Sequence, residues 1–218
     1  MNPLLISPEP GKPLTLLCLG AHSDDIEIGC GGTLLTLLQR HPGSRVHWVV
    51  FATSGIRAGE AKAGAKKFLA KAGERQVHLH TFRDGFFPSE HAVIKEVFED
   101  LKAIGSPDLI FTHHRSDLHQ DHRVISELAR NTWRNHTILE YEIPKFDADL
   151  TPGNCYVPVS KRHAELKAAH LMAAFPSQAQ KHWFDPETFL GLMRLRGLEC
   201  NAPERYAEAF HAYKFTLG

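Results

Sequence analysis

The feature that most constrains this chain is a series of short apolar segments alternating with helix-forming ones. Residues 14–21 (LTLLCLGA) are almost wholly apolar, bounded by Pro13 and by polar residues beyond Ala21. A run that short and that apolar suits a strand covered on both faces. Further strands are expected at 46–52 (VHWVVFA), 77–82, 108–112 (DLIFT) and 137–143 (TILEYEI). Helical stretches lie between them. They are 33–38, opened by a Gly-rich bend (Gly29-Cys30-Gly31-Gly32), then the Ala/Lys/Glu-rich 58–72, the amphipathic 93–104, and 123–131. Connections of this length rule out hairpins, so the sheet is expected to be parallel with helices on both faces. Residues 145–158 read as loop, 161–174 and 186–196 as helices, and 206–216 as a segment ending in a strand. With no repeat and no low-complexity linker, one domain over residues 1–218 is the simplest account, with the part from about 145 to 218 as an extension.

Composition excludes several classes of partner. Lys plus Arg number 25 and Asp plus Glu number 25, so no global field draws in nucleic acid or an anionic membrane. No apolar run reaches the roughly 18 residues that a membrane span needs. Residues 1–13 carry no early positive cluster and do not read as a signal peptide. The four cysteines, Cys18, Cys30, Cys155 and Cys200, form no CxxC pair. That usage suits a reducing compartment, and a cytoplasmic location is expected. The chain holds 15 histidines, and their arrangement matters more than their number.

Two clusters follow predicted strands. Ala21-His22-Ser23-Asp24-Asp25-Ile26-Glu27 succeeds the first, and residues 113–122 (HHRSDLHQDH) succeed the fourth. In open parallel sheets ligands bind at the carboxyl ends of strands, so both clusters stand where a site is expected. Two adjacent carboxylates beside a histidine are costly to hold together unless a cation neutralises them. A histidine nitrogen and an aspartate oxygen are suitable zinc donors. Each cluster alone has an ordinary reading, as a turn or a solvated loop. Both together, each after a buried strand, point to a metal site closed by the fold.

These residues resemble a known family. AHSDD is similar to the AHPDDE signature of the PIG-L/LmbE-like deacetylases, and HQDH with Asp117 resembles their second motif. Gly29-Cys30-Gly31-Gly32, Asp84-Gly85 and Tyr206-Ala207-Glu208-Ala209-Phe210 also match, in order. The resemblance implies a Rossmann-like three-layer α/β/α fold with a mostly parallel sheet. It implies a zinc-dependent hydrolase that removes acetyl from a GlcNAc-type sugar or conjugate, residues 145–218 lying on the substrate side. It makes His22, Asp25 and His122 the metal ligands and Asp24 the general base. His119 becomes the oxyanion-stabilising group or acid, and Asp121 the residue that orients a histidine. Arg57 and Asp84 are the expected substrate-binding residues. Ser23 stands for the family's Pro and Ile26 for its Glu, which leaves open whether Glu27 takes over that Glu.

Three ligands with one open position is the catalytic arrangement for Zn²⁺; His₂Asp with open positions also suits Fe²⁺ or another divalent ion. His119, if protonated, would face the developing oxyanion. Cys30, Trp183, Phe184, Glu140 and Glu142 are expected to serve structure rather than chemistry, and His113 and His114 to support the ligands from behind or serve structure rather than bind the metal. Rival readings are an amidase of a sugar–thiol conjugate, a non-catalytic zinc-dependent sugar-binding protein, and a metal-dependent phosphoesterase. The last would need a second metal, with Asp24, Asp117 and His114 as its ligands. The expected partner is a small-molecule or glycan substrate carrying an N-acetyl group. Neither its carrier nor the oligomeric state is legible.

Overall fold

The computed structural model describes residues 11–214. The readings made of residues 1–10 and of the final strand's end at Thr216 lie outside the described residues. The chain runs β1 (Thr15–His22), α1 (Asp25–Arg40), β2 (Arg45–Ala52), α2 (Ile56–Phe68), β3 (Glu74–Leu79), α3 (His91–Leu101), β4 (Leu109–His113), α4 (Gln120–Thr132), β5 (Ile138–Tyr141), β6 (Cys155–Val159), α5 (Lys161–Ala174), α6 (Pro186–Glu199) and β7 (Tyr206–Ala212). The strands form one sheet in the order β3-β2-β1-β4-β5-β7-β6. β1 to β5 pair in parallel, and β7 joins β5 antiparallel, as β6 joins β7. This is the mostly parallel α/β architecture that the alternation predicts.

Burial explains the apolar runs. Along β1, Leu16 and Cys18 enter a core with Trp48, Phe68 and Tyr141, while Leu17 and Leu19 enter the opposite core with Phe51, Phe98 and Ile110. Alternate side chains of a strand point to opposite faces, so a strand covered on both reads as continuously apolar.

Three elements differ from expectation. The glycines 29, 31 and 32 are not a bend before a helix; α1 already begins at Asp25 and runs through them, kinked at Cys30 (φ −140°, ψ 15°). They are there for space. A Cβ on Gly29 would lie 2.2 Å from the Tyr141 ring, and one on Gly31 would lie 2.4 Å from Phe68. Past the kink, the N–H groups of Gly32 and Thr33 donate to the Glu208 carboxylate at 2.8 and 2.7 Å. β3 begins at Glu74 because it is an edge strand, whose exposed residues carry no apolar signature. β6 occupies part of the expected 145–158 loop; Pro158 is tolerated there because the strand is at the other edge.

Candidate metal centre

β1 and β4 are neighbours, so their carboxyl ends deliver both clusters to one place. His22 is the last residue of β1, and Asp25 the first of α1. His113 ends β4, and the following loop leads to α4, capped by His119, whose Nδ1 accepts the Asp121 N–H at 3.2 Å. His22 Nδ1 lies 3.2 Å from His122 Nε2 and 3.3 Å from Asp25 Oδ2; His122 Nε2 lies 3.6 Å from Asp25 Oδ1. Donors around a tetrahedral zinc at about 2.1 Å stand about 3.4 Å apart, so these separations fit.

The hydrogen bonds behind the donors strengthen the fit. His122 Nδ1 bonds Asp117 Oδ2 at 2.9 Å, which directs its Nε2 lone pair at His22. His22 Nε2 faces Asp121 Oδ2 at 3.2 Å and Asp84 Oδ1 at 3.1 Å, so that nitrogen carries a proton and Nδ1 faces the centre. Two lone pairs at 3.2 Å beside a carboxylate repel unless a cation, a proton or a metal ion, lies between them. Burial opposes a charge on His22, but Asp25, Asp121 and Asp84 together outweigh it, and its pKa is well above the usual histidine value. Burial and the neighbouring His113 push His122 down to about 3. Burial opposes the charge on Asp25, yet His122, His113 and His22 hold its pKa well below the usual range. His113 Nε2 lies 3.2 Å from Asp25 Oδ2, and its ring stacks on His122 at 3.8 Å.

Asp24 is buried beside this group. Burial raises its pKa to about 6, against the pull of Arg57, whose guanidinium lies 2.9 Å from Oδ2. Arg57 is itself fixed by Glu60 at 2.6 Å and by the Ser23 carbonyl. Burial and the charge on His22 lower the pKa of His119; with Nδ1 accepting, the neutral ring keeps its proton on Nε2. Asp121 accepts the N–H groups of Gly85 and Phe87 at 2.6 and 3.1 Å, tying the Asp84–Gly85 turn to the centre. Asp84 stands at the solvent side of His22, exposed.

The remaining residues serve packing. The Cys30 thiol bonds the Ile26 carbonyl and is fully buried. His114 pairs with Glu140 at 3.1 Å, Glu142 with Arg196 at 2.6 Å, and Phe184 is buried. Among the described residues, three groups of donors converge closely enough for an ion: His22, His119 and His122; His22, Asp84, His119 and Asp121; and Asp25, His113 and His122. Neither Asp24, Asp117 and His114 nor the full trio His22, Asp25 and His122 is among them; Asp25 meets His22 through Oδ2 and His122 through Oδ1. Of the two histidines expected to support the ligands or serve structure, His113 touches Asp25 and His122 while His114 pairs with Glu140, and nothing in their spacing tells them apart. Lys145, 2.9 Å from Asp117, was likewise not legible, because its loop shows no pattern. Glu27 is buried with Oε1 unpaired, pressed toward Gly64, and burial raises its pKa.

The family model described as PIG-L, GlcNAc-PI de-N-acetylase, matches residues 17–133 and so spans both clusters. The chain belongs to the PIG-L family. A PIG-L-type relative from Escherichia coli K12, named uncharacterized deacetylase YaiS, is 27% identical over 170 residues, 72% of this chain and 88% of its own. The N,N'-diacetylchitobiose deacetylase of Pyrococcus horikoshii superposes with a TM-score of 0.71 at 22% identity, over 91% of this chain and 83% of its own. The 4-carboxy-2-hydroxymuconate hydratase GalB of Pseudomonas putida KT2440 superposes with a TM-score of 0.75 at 15% identity, over 94% and 98%. These structural likenesses show the PIG-L fold. No helix among the described residues is long and apolar enough to cross a membrane.

Proposed function

We propose that this chain is a divalent-metal-dependent N-deacetylase, removing acetyl from a GlcNAc-type sugar or sugar conjugate. The observation that carries the reading is the gathering of His22, Asp25 and His122, with contacts of 3.2, 3.3 and 3.6 Å between pairs of their donor atoms and with Asp24 and His119 beside them. Zn²⁺ is the proposed ion, and Fe²⁺ meets the same donor set. An ion held there supplies Lewis-acid polarisation of the acetamide carbonyl and a water acidified toward neutral pH. Asp24 takes a proton from the attacking water on Oδ1, Oδ2 being held by Arg57, and passes it to the leaving amine. His119 donates its Nε2–H to the carbonyl oxygen as that oxygen gains charge. Asp121 fixes the ring of His22, and Asp117 that of His122. Arg57 and Asp84 stand beside these groups and are the proposed contacts for substrate hydroxyls. Residues from about 145 onward form the substrate side, where Lys145 reaches Asp117. Free Cys18, Cys30, Cys155 and Cys200 support a cytoplasmic setting.

The names of YaiS and of the Pyrococcus enzyme support acetamide hydrolysis, and the likeness to GalB supports only the fold. The test is acetate release from GlcNAc, UDP-GlcNAc, N,N'-diacetylchitobiose and a GlcNAc–malate conjugate. Each is run with metal-stripped protein, with added Zn²⁺, and with Asp24→Asn. Metal-dependent acetate that falls about 10²–10⁴-fold in Asp24→Asn, with metal content unchanged, is the expected result. Near-normal turnover in that variant would overturn the assigned base.

A further inference from the structure

A cavity of about 590 Å³ opens beside α4, apart from the centre already described. Five cations line it, Arg115, Arg123, Arg130, Arg134 and Lys214, against the single carboxylate of Glu127. In a chain whose formal charge sums to zero, that is a marked local excess. The helix arranges it. Arg123 and Arg130 lie seven residues apart on α4, and Arg134 follows just beyond its C-cap, Trp133. At about 100° per residue the two helical arginines lie within about 20° of one another, on one stripe rising about 10 Å. The stripe lies about 100° round the helix from His122, so it does not share the face of α4 that builds the metal centre.

Four of these five cations are not neutralised from within. Arg123 donates to the carbonyls of Asp117 and Leu118 at 3.0 and 2.6 Å, and Arg134 to that of Asn131 at 3.3 Å. Arg130 lies over the Tyr213 ring at 4.0 Å and only 3.7 Å from Glu140, which fixes its position. Lys214 rests 5.5 Å from the Tyr213 ring. Among the described residues, Arg115, Arg123, Arg134 and Lys214 make no ion pair with a carboxylate. Guanidinium groups held this way offer forked donors to phosphate, sulfate or carboxylate oxygens. The cavity has the volume of a ligand site rather than of a flat contact surface. Five cations around one cavity outnumber the charges of a single small anion.

We propose that this cleft binds a linear oligoanion, a molecule whose phosphate, sulfate or carboxylate groups repeat over about 10 Å. The test is calorimetric titration of the full chain with a short linear polyphosphate, with an oligogalacturonate, and with orthophosphate. At least one oligoanion binds saturably, one per chain, at least about tenfold tighter than orthophosphate, and less tightly as salt rises. The exposed pair R134Q/K214Q weakens binding at least about fivefold, and R134E/K214E abolishes it. Asp25→Ala, which disables the metal centre, leaves the binding in place. Whichever probe binds tighter tells whether phosphates or sugar carboxylates are the source of charge. The proposal is overturned by no saturable binding of either oligoanion, by orthophosphate binding as tightly, by indifference to R134E/K214E, or by loss of binding in Asp25→Ala.

Discussion

Asp117 shows how much of the centre rests on residues outside its candidate ligands. Its Oδ2 holds His122 Nδ1 at 2.9 Å and Lys145 Nζ at 2.9 Å, while Oδ1 accepts the His119 N–H at 2.8 Å. Burial opposes its charge, but the bond from His122 and the nearby cations hold its pKa far below the usual carboxylate range. One carboxylate thus fixes the tautomer of a ligand, the entry to α4 and the loop that carries Lys145. Asp117→Ala is expected to weaken Zn²⁺ binding about 10–100-fold, read by competition against a chromophoric chelator. Affinity within twofold of the parent would mean that His122 is oriented by its stacking on His113 instead. At this scale the sequence was most informative. His22, Asp24, Asp25 and the 113–122 cluster stand out by residue type at strand ends, the family resemblance picks Asp121 and His122 from that cluster, and the fold brings them together. Lys145 does not stand out, because its part depends on a partner distant in the chain.

Helix α1 explains the glycines that the sequence could not. Its first turn carries Asp25 toward the centre, and its middle passes so close to Tyr141 and Phe68 that no side chain fits. The Tyr141 ring has nowhere to go, since its hydroxyl donates to the Leu19 carbonyl at 2.6 Å and the residue is fully buried. Gly29→Ala should therefore destabilise by about 1–3 kcal/mol in urea unfolding, although alanine is the better helix former. A more stable variant would show that α1 moves freely against β5. β7 answers the kink: Glu208 takes the two N–H groups freed there and pairs with buried Lys167 at 2.6 Å. A different buried polar group lies on β2. Neither nitrogen of His47 finds a partner, and burial, then the charge of His78, lowers its pKa. The unfolded chain therefore binds more protons near His47, and the folded state loses stability as pH falls below about 6.5. His47→Leu should shrink the loss of urea stability between roughly pH 7.5 and 5.5. A loss equal to the parent's would assign the acid sensitivity to other histidines.

For the molecule as a whole, a metal ion would act as a clasp between β1, α1 and α4, which supply His22, Asp25 and His122. An ion that binds only the folded chain at about 100 times its Kd adds about 2.7 kcal/mol. In a chain of this size that corresponds to roughly 5–10 °C in Tm. Scanning calorimetry with Zn²⁺ and with chelator is expected to show this difference, and Asp25→Ala to erase it. An equal shift in Asp25→Ala would place the ion elsewhere. The sequence by itself determined the class of sheet, because a strand buried on both faces must be apolar throughout, and that is a local property. It marked most of the residues of the candidate centre, because ligand chemistry restricts residue types and parallel sheets restrict where they can stand. Only the tertiary structure decided the path of α1 through its glycines, the two edge strands β3 and β6, and the gathering of the arginines of α4 with Lys214. Each of these depends on what lies opposite, a ring, an open edge or a second cation, and no local pattern in the chain records it.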